Sequence, residues 1–217
     1  MIRILGEQNT VLNQFVAELR DENIQKDAMR FRRNLERVGQ LMAYEISRTL
    51  NYYPSEVATP LGQKPINLPT SRIVLATVLR AGLPFHSGFL SIFDKAENGF
   101  VSAYRHFSKD GTMHIKMEQV TTPPLEDKTL ILIDPMLATG QSIEAAYNAL
   151  IDKGGVPMQT HFAAIISSIE GLEYVKQHLP MDRITVWTVA VDEQMTVKNY
   201  IVPGIGDPGD LAYGKKI

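Results

Sequence analysis

The sequence has no cysteine, a single tryptophan and no long apolar run. Without a thiol there can be no disulfide framework, no thiolate zinc site and no cysteine nucleophile. No stretch approaches the ~20 apolar residues that a membrane helix needs. The opening Met1–Thr10 lacks the apolar core of a signal peptide. An excess of one charge is missing too. Lys and Arg number 22 against 24 Asp and Glu, a formal net charge of −2. That balance gives no bulk attraction to nucleic acid or to an anionic membrane. The histidines, His86, His106, His114, His161 and His178, show no metal-ligand spacing. With 44% hydrophobic residues in 217, the chain can bury one ordinary core. The expectation is a soluble, cytoplasmic protein of one domain.

Three zones follow one another. Residues 1–71 hold helical patterns and a turn-rich piece. Val11, Leu12, Phe15, Val16 and Leu19 share one helical face, and so do Phe31, Leu35, Val38, Leu41, Met42 and Ile46. Thr10 and Asp27 are the expected helix starts. Pro54, Pro60, Pro65 and Pro69 punctuate residues 51–71, read as a hairpin excursion turning at Leu61–Lys64. Residues 72–190 alternate apolar strands with helices: strands at Ile73–Leu79, Thr129–Ile133, Phe162–Ile166 and Ile184–Val189, helices near Ser142–Asp152 and Leu172–His178. Phe100–Arg105 and His114–Gln119 flank the turn signal Lys109–Thr112 as a hairpin, either an arm over the site or an intersubunit contact. Such alternation predicts an α/β fold with a central, mainly parallel sheet covered by helices on both faces. Residues 191–217 end in a glycine- and proline-rich stretch that reads as loop.

The strongest chemical signal is Leu130–Ser142. A buried strand ends in Asp134, a small-residue loop follows (Pro135, Met136, Leu137, Ala138, Thr139, Gly140, Gln141), and a helix begins near Ser142. Ligands of open parallel sheets bind at the carboxyl ends of strands. Loop N–H groups and a helix N-terminus attract phosphate there. Thr139 and Ser142 can donate hydroxyl hydrogen bonds to it. Asp134 would repel a phosphate and suits sugar hydroxyls or a magnesium shell instead. The plainer reading is a βα turn in which Asp134 ends the strand and Ser142 caps the helix. Other phosphate and nucleophile motifs are absent from the sequence: there is no G-x-x-x-x-G-K-[ST], no G-x-G-x-x-G after a strand and no H-E-x-x-H.

Asp134–Ser142 resembles the phosphoribosyl-diphosphate motif of uracil phosphoribosyltransferases, members of the type I phosphoribosyltransferases. Val78-Leu79-Arg80-Ala81-Gly82-Leu83 resembles that family's diphosphate loop, and Tyr200–Asp210 its C-terminal uracil-binding segment. Weaker likeness runs through Phe31-Arg32, Tyr44-Glu45, Tyr104-Arg105 and Asp192-Glu193. The resemblance covers nearly the whole chain. It implies joining of uracil to 5-phosphoribosyl diphosphate to give UMP and diphosphate. It assigns Asp134–Ser142 to the ribose 5-phosphate, Arg80 and Arg105 to the diphosphate, and Ile201, Gly206 and Pro208 to uracil. Asp207 would lie near both ligands. Catalysis would fall to Asp134, Arg80 and Asp207, with Mg2+ held mainly through the diphosphate and no metal site of the protein's own. A hood from the helical N-terminus and the C-terminal loop, a β-hairpin arm, a cis peptide near Arg80 and a homodimer or larger homo-oligomer are implied as well.

Two positions depart from the family pattern. Gln141 stands where a second glycine is usual, which predicts a differently closed loop. Pro208 stands where alanine is usual, and proline has no N–H to give to a uracil carbonyl. Two rival functions use the same fold. One is a pyrimidine-responsive RNA-binding regulator, for which Arg30, Arg33 and Arg37 form a stripe; a solvated helix face balanced by Asp27, Glu36 and Glu45 explains that stripe without RNA. The other is a non-catalytic nucleotide-binding homologue.

Overall fold

The computed structural model describes residues 1–107 and 113–216, and the backbone alone for 103–107 and 113–117. A short strand β1 (Ile2–Ile4) leads through a 3-10 turn into α1 (Val11–Arg20) and α2 (Ala28–Ser47). Thr10 caps α1 by accepting from the Leu12 N–H, and Asp27 caps α2 by accepting from those of Met29 and Arg30. Strands β2 (Tyr52–Thr59) and β3 (Gly62–Pro69) form an antiparallel hairpin that is exposed along nearly its full length. Its turn is Pro60-Leu61, earlier than the expected Leu61–Lys64, because Gly62 already pairs with Thr59.

The α/β part begins with β4 (Ile73–Leu79), α3 (Gly82–Ile92), β5 (Glu97–Phe107), β6 (Met113–Thr121) and β7 (Thr129–Ile133). It continues through β8 (Met136–Leu137), α4 (Gln141–Gly154), β9 (Gln159–Ala163), β10 (Ile166–Ser168), α5 (Ile169–His178) and β11 (Ile184–Thr188). The last elements are β12 (Ala190–Asp192), β13 (Gln194–Met195), β14 (Ile201–Val202) and α6 (Pro208–Tyr213). Seven strands make the main sheet in the order β1-β11-β9-β7-β4-β5-β6, all parallel except β6. The expected hairpin at residues 100–119 is the β5–β6 pair, and its turn lies outside the described residues.

The sheet is buried on both faces, which is why its strands read as continuous apolar runs. In β7, Ile131 and Ile133 pack toward Leu35, Met42, Phe85 and Phe89 of α2 and α3. Leu130 and Leu132 pack toward Ile143, Tyr147 and Leu150 of α4. Each such fully buried aliphatic side chain contributes about 1.5–3 kcal/mol. The run read as one strand at Phe162–Ile166 is two: β9 ends at Ala163 in the main sheet, and β10 starts at Ile166 in a separate three-stranded sheet, β12-β10-β8. Periodicity cannot separate them, since both segments are buried. The C-terminal stretch read as loop contains α6, six residues long. Asp207 caps it through the Asp210 N–H, and Pro208 sits at its first position, where the missing N–H breaks no helical bond. Among the described residues no helix is long and apolar enough to cross a membrane.

Candidate active site

Beyond Ile133 the chain leaves the main sheet. Asp134 Oδ1 accepts the Met136 N–H at 3.3 Å, and Met136 and Leu137 pair with Ile166 and Ser167 as β8. Gly140 then turns with φ 80° and stands as the N-cap of α4, so the helix starts at Gln141 and not at Ser142. Glycine brings no capping side chain, so the N-cap itself supplies no acceptor to the first-turn N–H groups of α4. That helix end therefore suits an anion. Helix α5 holds the loop from behind. The Ser168 hydroxyl donates to the Ala138 carbonyl at 2.6 Å and accepts the Gly171 N–H at 2.8 Å. A Cβ at Gly171 would collide with the same Ala138 carbonyl.

Arg80 follows β4, and the Leu79–Arg80 peptide is cis, as the resemblance implied. The Thr77 hydroxyl donates to the Ile133 carbonyl at 3.1 Å, tying the ends of β4 and β7 together beneath both loops. One Arg80 amine donates to the Gly214 carbonyl at 3.1 Å and pairs with Asp210 at 3.4 Å. Arg80 Nε is buried and has no partner among the described residues.

The C-terminal segment arrives by a clamp. Asp192 takes a two-pronged contact from Arg20, 2.8 Å on each oxygen, and accepts the Gly204 N–H at 2.8 Å. Arg20 also donates to the Gly204 carbonyl at 3.0 Å. Burial alone would raise the Asp192 carboxyl, but the Arg20 hydrogen bonds, the Gly204 N–H and the Arg20 charge together hold it below the usual carboxylate range. Farther along, Arg32 donates to the Ala212 carbonyl at 2.6 Å and seats α6 on α2.

These three segments meet in one cleft. It is lined by Arg80 from the first, by Asp134 and Met136–Gly140 with Ser142 from the second, and by Ile201, Gly206, Asp207 and Pro208 from the third. Two of the expected contacts lie off its wall. Pro135 is buried, its carbonyl accepting from Ile165 and Ile166, and Gln141 points to solvent in the first turn of α4. The Arg105 side chain lies outside the described residues; its backbone is in β5. The lining carboxylates are Asp134 and Asp207, and the lining cations among the described residues are Arg80 and Lys216.

Residues 6–215 match the family model described as uracil phosphoribosyltransferase. The chain belongs to the uracil phosphoribosyltransferase family. It is 50% identical over 213 residues to the uracil phosphoribosyltransferase of Porphyromonas gingivalis, covering 98% of each chain. To that of Methanothermobacter thermautotrophicus it is 38% identical over 217 residues, covering 99% of this chain and 96% of the other. The solved AQ2163 protein from Aquifex aeolicus superposes with a TM-score of 0.86 at 29% identity, covering 99% and 98% of the two chains. A type I phosphoribosyltransferase fold, with its parallel sheet between helices, accounts for the whole described chain.

Within this family member the remaining candidates fall into structural roles. Arg30 pairs with Glu18 at 2.7 Å, Arg33 pairs with Glu36, and Arg37 donates to Asn34 and lies over the Phe15 ring. Glu36 balances Arg33 as expected, Glu18 of α1 takes Arg30, and Arg37 is held by an amide and a ring, with no carboxylate partner among the described residues. His86 is buried beside the Phe100 ring and does not line the cleft. His178 stacks on Tyr174, and the side chains of His106 and His114 lie outside the described residues. His161 is fully buried, where Nδ1 accepts the Trp187 indole N–H at 3.1 Å. Tyr200 and Gly209, within the segment expected to bind uracil, line the cleft as well, and so do Asn199 and Lys216, which lie outside every segment singled out from the sequence. The positive φ of Asn199, 60°, is unreadable before the backbone is known.

Proposed function

We propose that this protein is a uracil phosphoribosyltransferase that transfers the phosphoribosyl group of 5-phospho-α-D-ribose 1-diphosphate to uracil, giving UMP and diphosphate. The observation that carries the reading is the convergence of the Arg80 loop, the Asp134–Ser142 loop and the Ile201–Pro208 segment on one cleft. In the reaction the bond from the anomeric carbon to the diphosphate oxygen breaks. A new bond to N1 of uracil forms, the N1 proton is lost, and diphosphate leaves with the bonding electrons. The anomeric carbon passes through an oxocarbenium-like state, so alignment and charge complementarity dominate over covalent catalysis.

Each segment then has a task. Thr139, Ser142 and the open N-terminus of α4 hold the 5-phosphate. Asp134 binds the ribose hydroxyls, since a carboxylate beside a phosphate would be repelled. Arg80 holds the diphosphate, its fork matching phosphate oxygens. Ile201, Gly206 and Pro208 frame the base through backbone groups, and Asp207 lies near both ligands. Arg105 is placed as a second diphosphate contact.

No group of three or more metal-ligating side chains occurs among the described residues. Asp134 and Asp207 on the cleft wall are donors of the type magnesium accepts, with diphosphate oxygens completing its shell. Bound in that way, Mg2+ would neutralise charge on the leaving diphosphate. We read residues 1–217 as one catalytic unit, acting in the cytoplasm as a homodimer or larger homo-oligomer. The test is to incubate the purified protein with phosphoribosyl diphosphate, Mg2+ and each of uracil, cytosine and hypoxanthine in turn. UMP should form with uracil alone. Nucleotide formation from hypoxanthine in preference to uracil would overturn the base assignment.

A further inference from the structure

The chain does not leave the cleft when α6 ends. Gly214 turns with φ 84°, and its carbonyl is the one that Arg80 holds at 3.1 Å. The following residues are thereby folded back onto the diphosphate loop. Lys215 stays off the cleft wall, whereas Lys216 lines it together with Arg80, Thr139, Ser142 and Asp207.

Lys216 has no hydrogen bond or ion pair with any described residue. Its cleft neighbours are differently placed. Asp207 is engaged in capping α6. Arg80 is partly neutralised by Asp210. Lys216 is exposed, so its ammonium can turn toward an anion bound in the cleft that it lines. The expected ligand is strongly anionic, and among the described lining residues Lys216 is half of the cationic complement. Two residues of chain span at most about 7 Å, so Lys216 stays close to the carbonyl bonded to Arg80. That proximity selects the diphosphate end of the substrate.

We propose that Lys216 is a substrate-binding residue that contacts the diphosphate of phosphoribosyl diphosphate beside Arg80. The proposal rests on the reading of the cleft as a phosphoribosyltransferase site. The contact between Arg80 and Gly214 brings the lysine to the place where it is needed.

The test is titration calorimetry of the full chain with Mg2+-diphosphate and, separately, with UMP. The variants are Lys216→Ala, Lys216→Arg and Lys215→Ala. Lys216→Ala should weaken diphosphate binding about tenfold, the scale of one charge-assisted hydrogen bond. It should leave UMP binding within about twofold, because UMP carries no diphosphate. Lys216→Arg should recover most of the loss, and Lys215→Ala should behave as wild type. An unchanged diphosphate affinity in Lys216→Ala overturns the proposal, as does an equal loss for UMP. A wild-type protein that forms no UMP at all would instead overturn the functional reading on which the proposal rests.

Discussion

Gly140 sits at φ 80°, and a Cβ there would lie 2.7 Å from the Tyr174 ring and 3.0 Å from the Gly171 carbonyl. Both the backbone and the space demand glycine at this position. The next residue, Gln141, is an exposed first-turn helical residue, so its side chain meets no such limit. Within this loop the positive φ falls on Gly140, and Gln141 carries helical backbone, so its side chain puts no strain on the closure. Pro208 has a sharper consequence. At the first position of α6 it stabilises the helix start, yet it presents no N–H to the cleft. Pro208→Ala restores that donor. Satisfying one buried carbonyl is worth about 1–3 kcal/mol, so uracil should bind about 5-fold tighter or more in the variant. Equilibrium binding of uracil to both proteins checks this; equal dissociation constants would show that the missing N–H faces no uracil acceptor.

At the scale of elements, the Asp134–Ser142 loop was legible because a buried strand, a small-residue turn and a helix follow one another within Leu130–Ser142. The supports of that loop were not. Ser168 and Gly171 act through contacts some 30 residues away in sequence, and nothing local marks them. Helix α6 was hidden because Pro208 and Gly209 at its start read as loop, whereas here Pro208 takes the first helical position behind the Asp207 cap. The hold on the C-terminal segment of the cleft was equally silent: Arg20 lies 172 residues from Asp192. This pair fixes the turn at Gly204 without touching the cleft, so Arg20 acts as a positioning residue. Arg20→Ala should raise KM for uracil about tenfold, while KM for phosphoribosyl diphosphate stays within about twofold. Arg20→Lys, which keeps the charge but loses the fork, should recover only part of the loss. Equal rises in both constants would mean a general loss of structure.

The whole molecule also carries a pH dependence that owes nothing to the cleft. His161 is fully buried; burial first, and then the Arg3 charge, lower its pKa to about 4. Its Nδ1 accepts from Trp187, which requires the neutral ring, and Nε2 has no partner among the described residues. The unfolded chain binds this proton near pH 6.5, and the folded chain only near pH 4. Stability should therefore be intact above pH 6.5 and fall as the pH drops toward 4, by up to about 3 kcal/mol. Urea unfolding of wild type and His161→Gln across that window measures it, with a flatter profile expected for the variant. Two identical profiles would assign the acid sensitivity to other groups.

The central claim is that this cleft performs phosphoribosyl transfer to uracil, and its most direct measurement is product formation by wild type and Asp134→Asn under identical conditions with uracil, phosphoribosyl diphosphate and Mg2+. Wild type should release UMP and diphosphate in equal amounts. Asp134→Asn, which keeps the shape but removes the charge that orients the ribose, should lose about 100-fold in kcat/KM with its Tm unchanged. A wild type that makes no UMP, or a variant that makes it at the wild-type rate, would contradict the account.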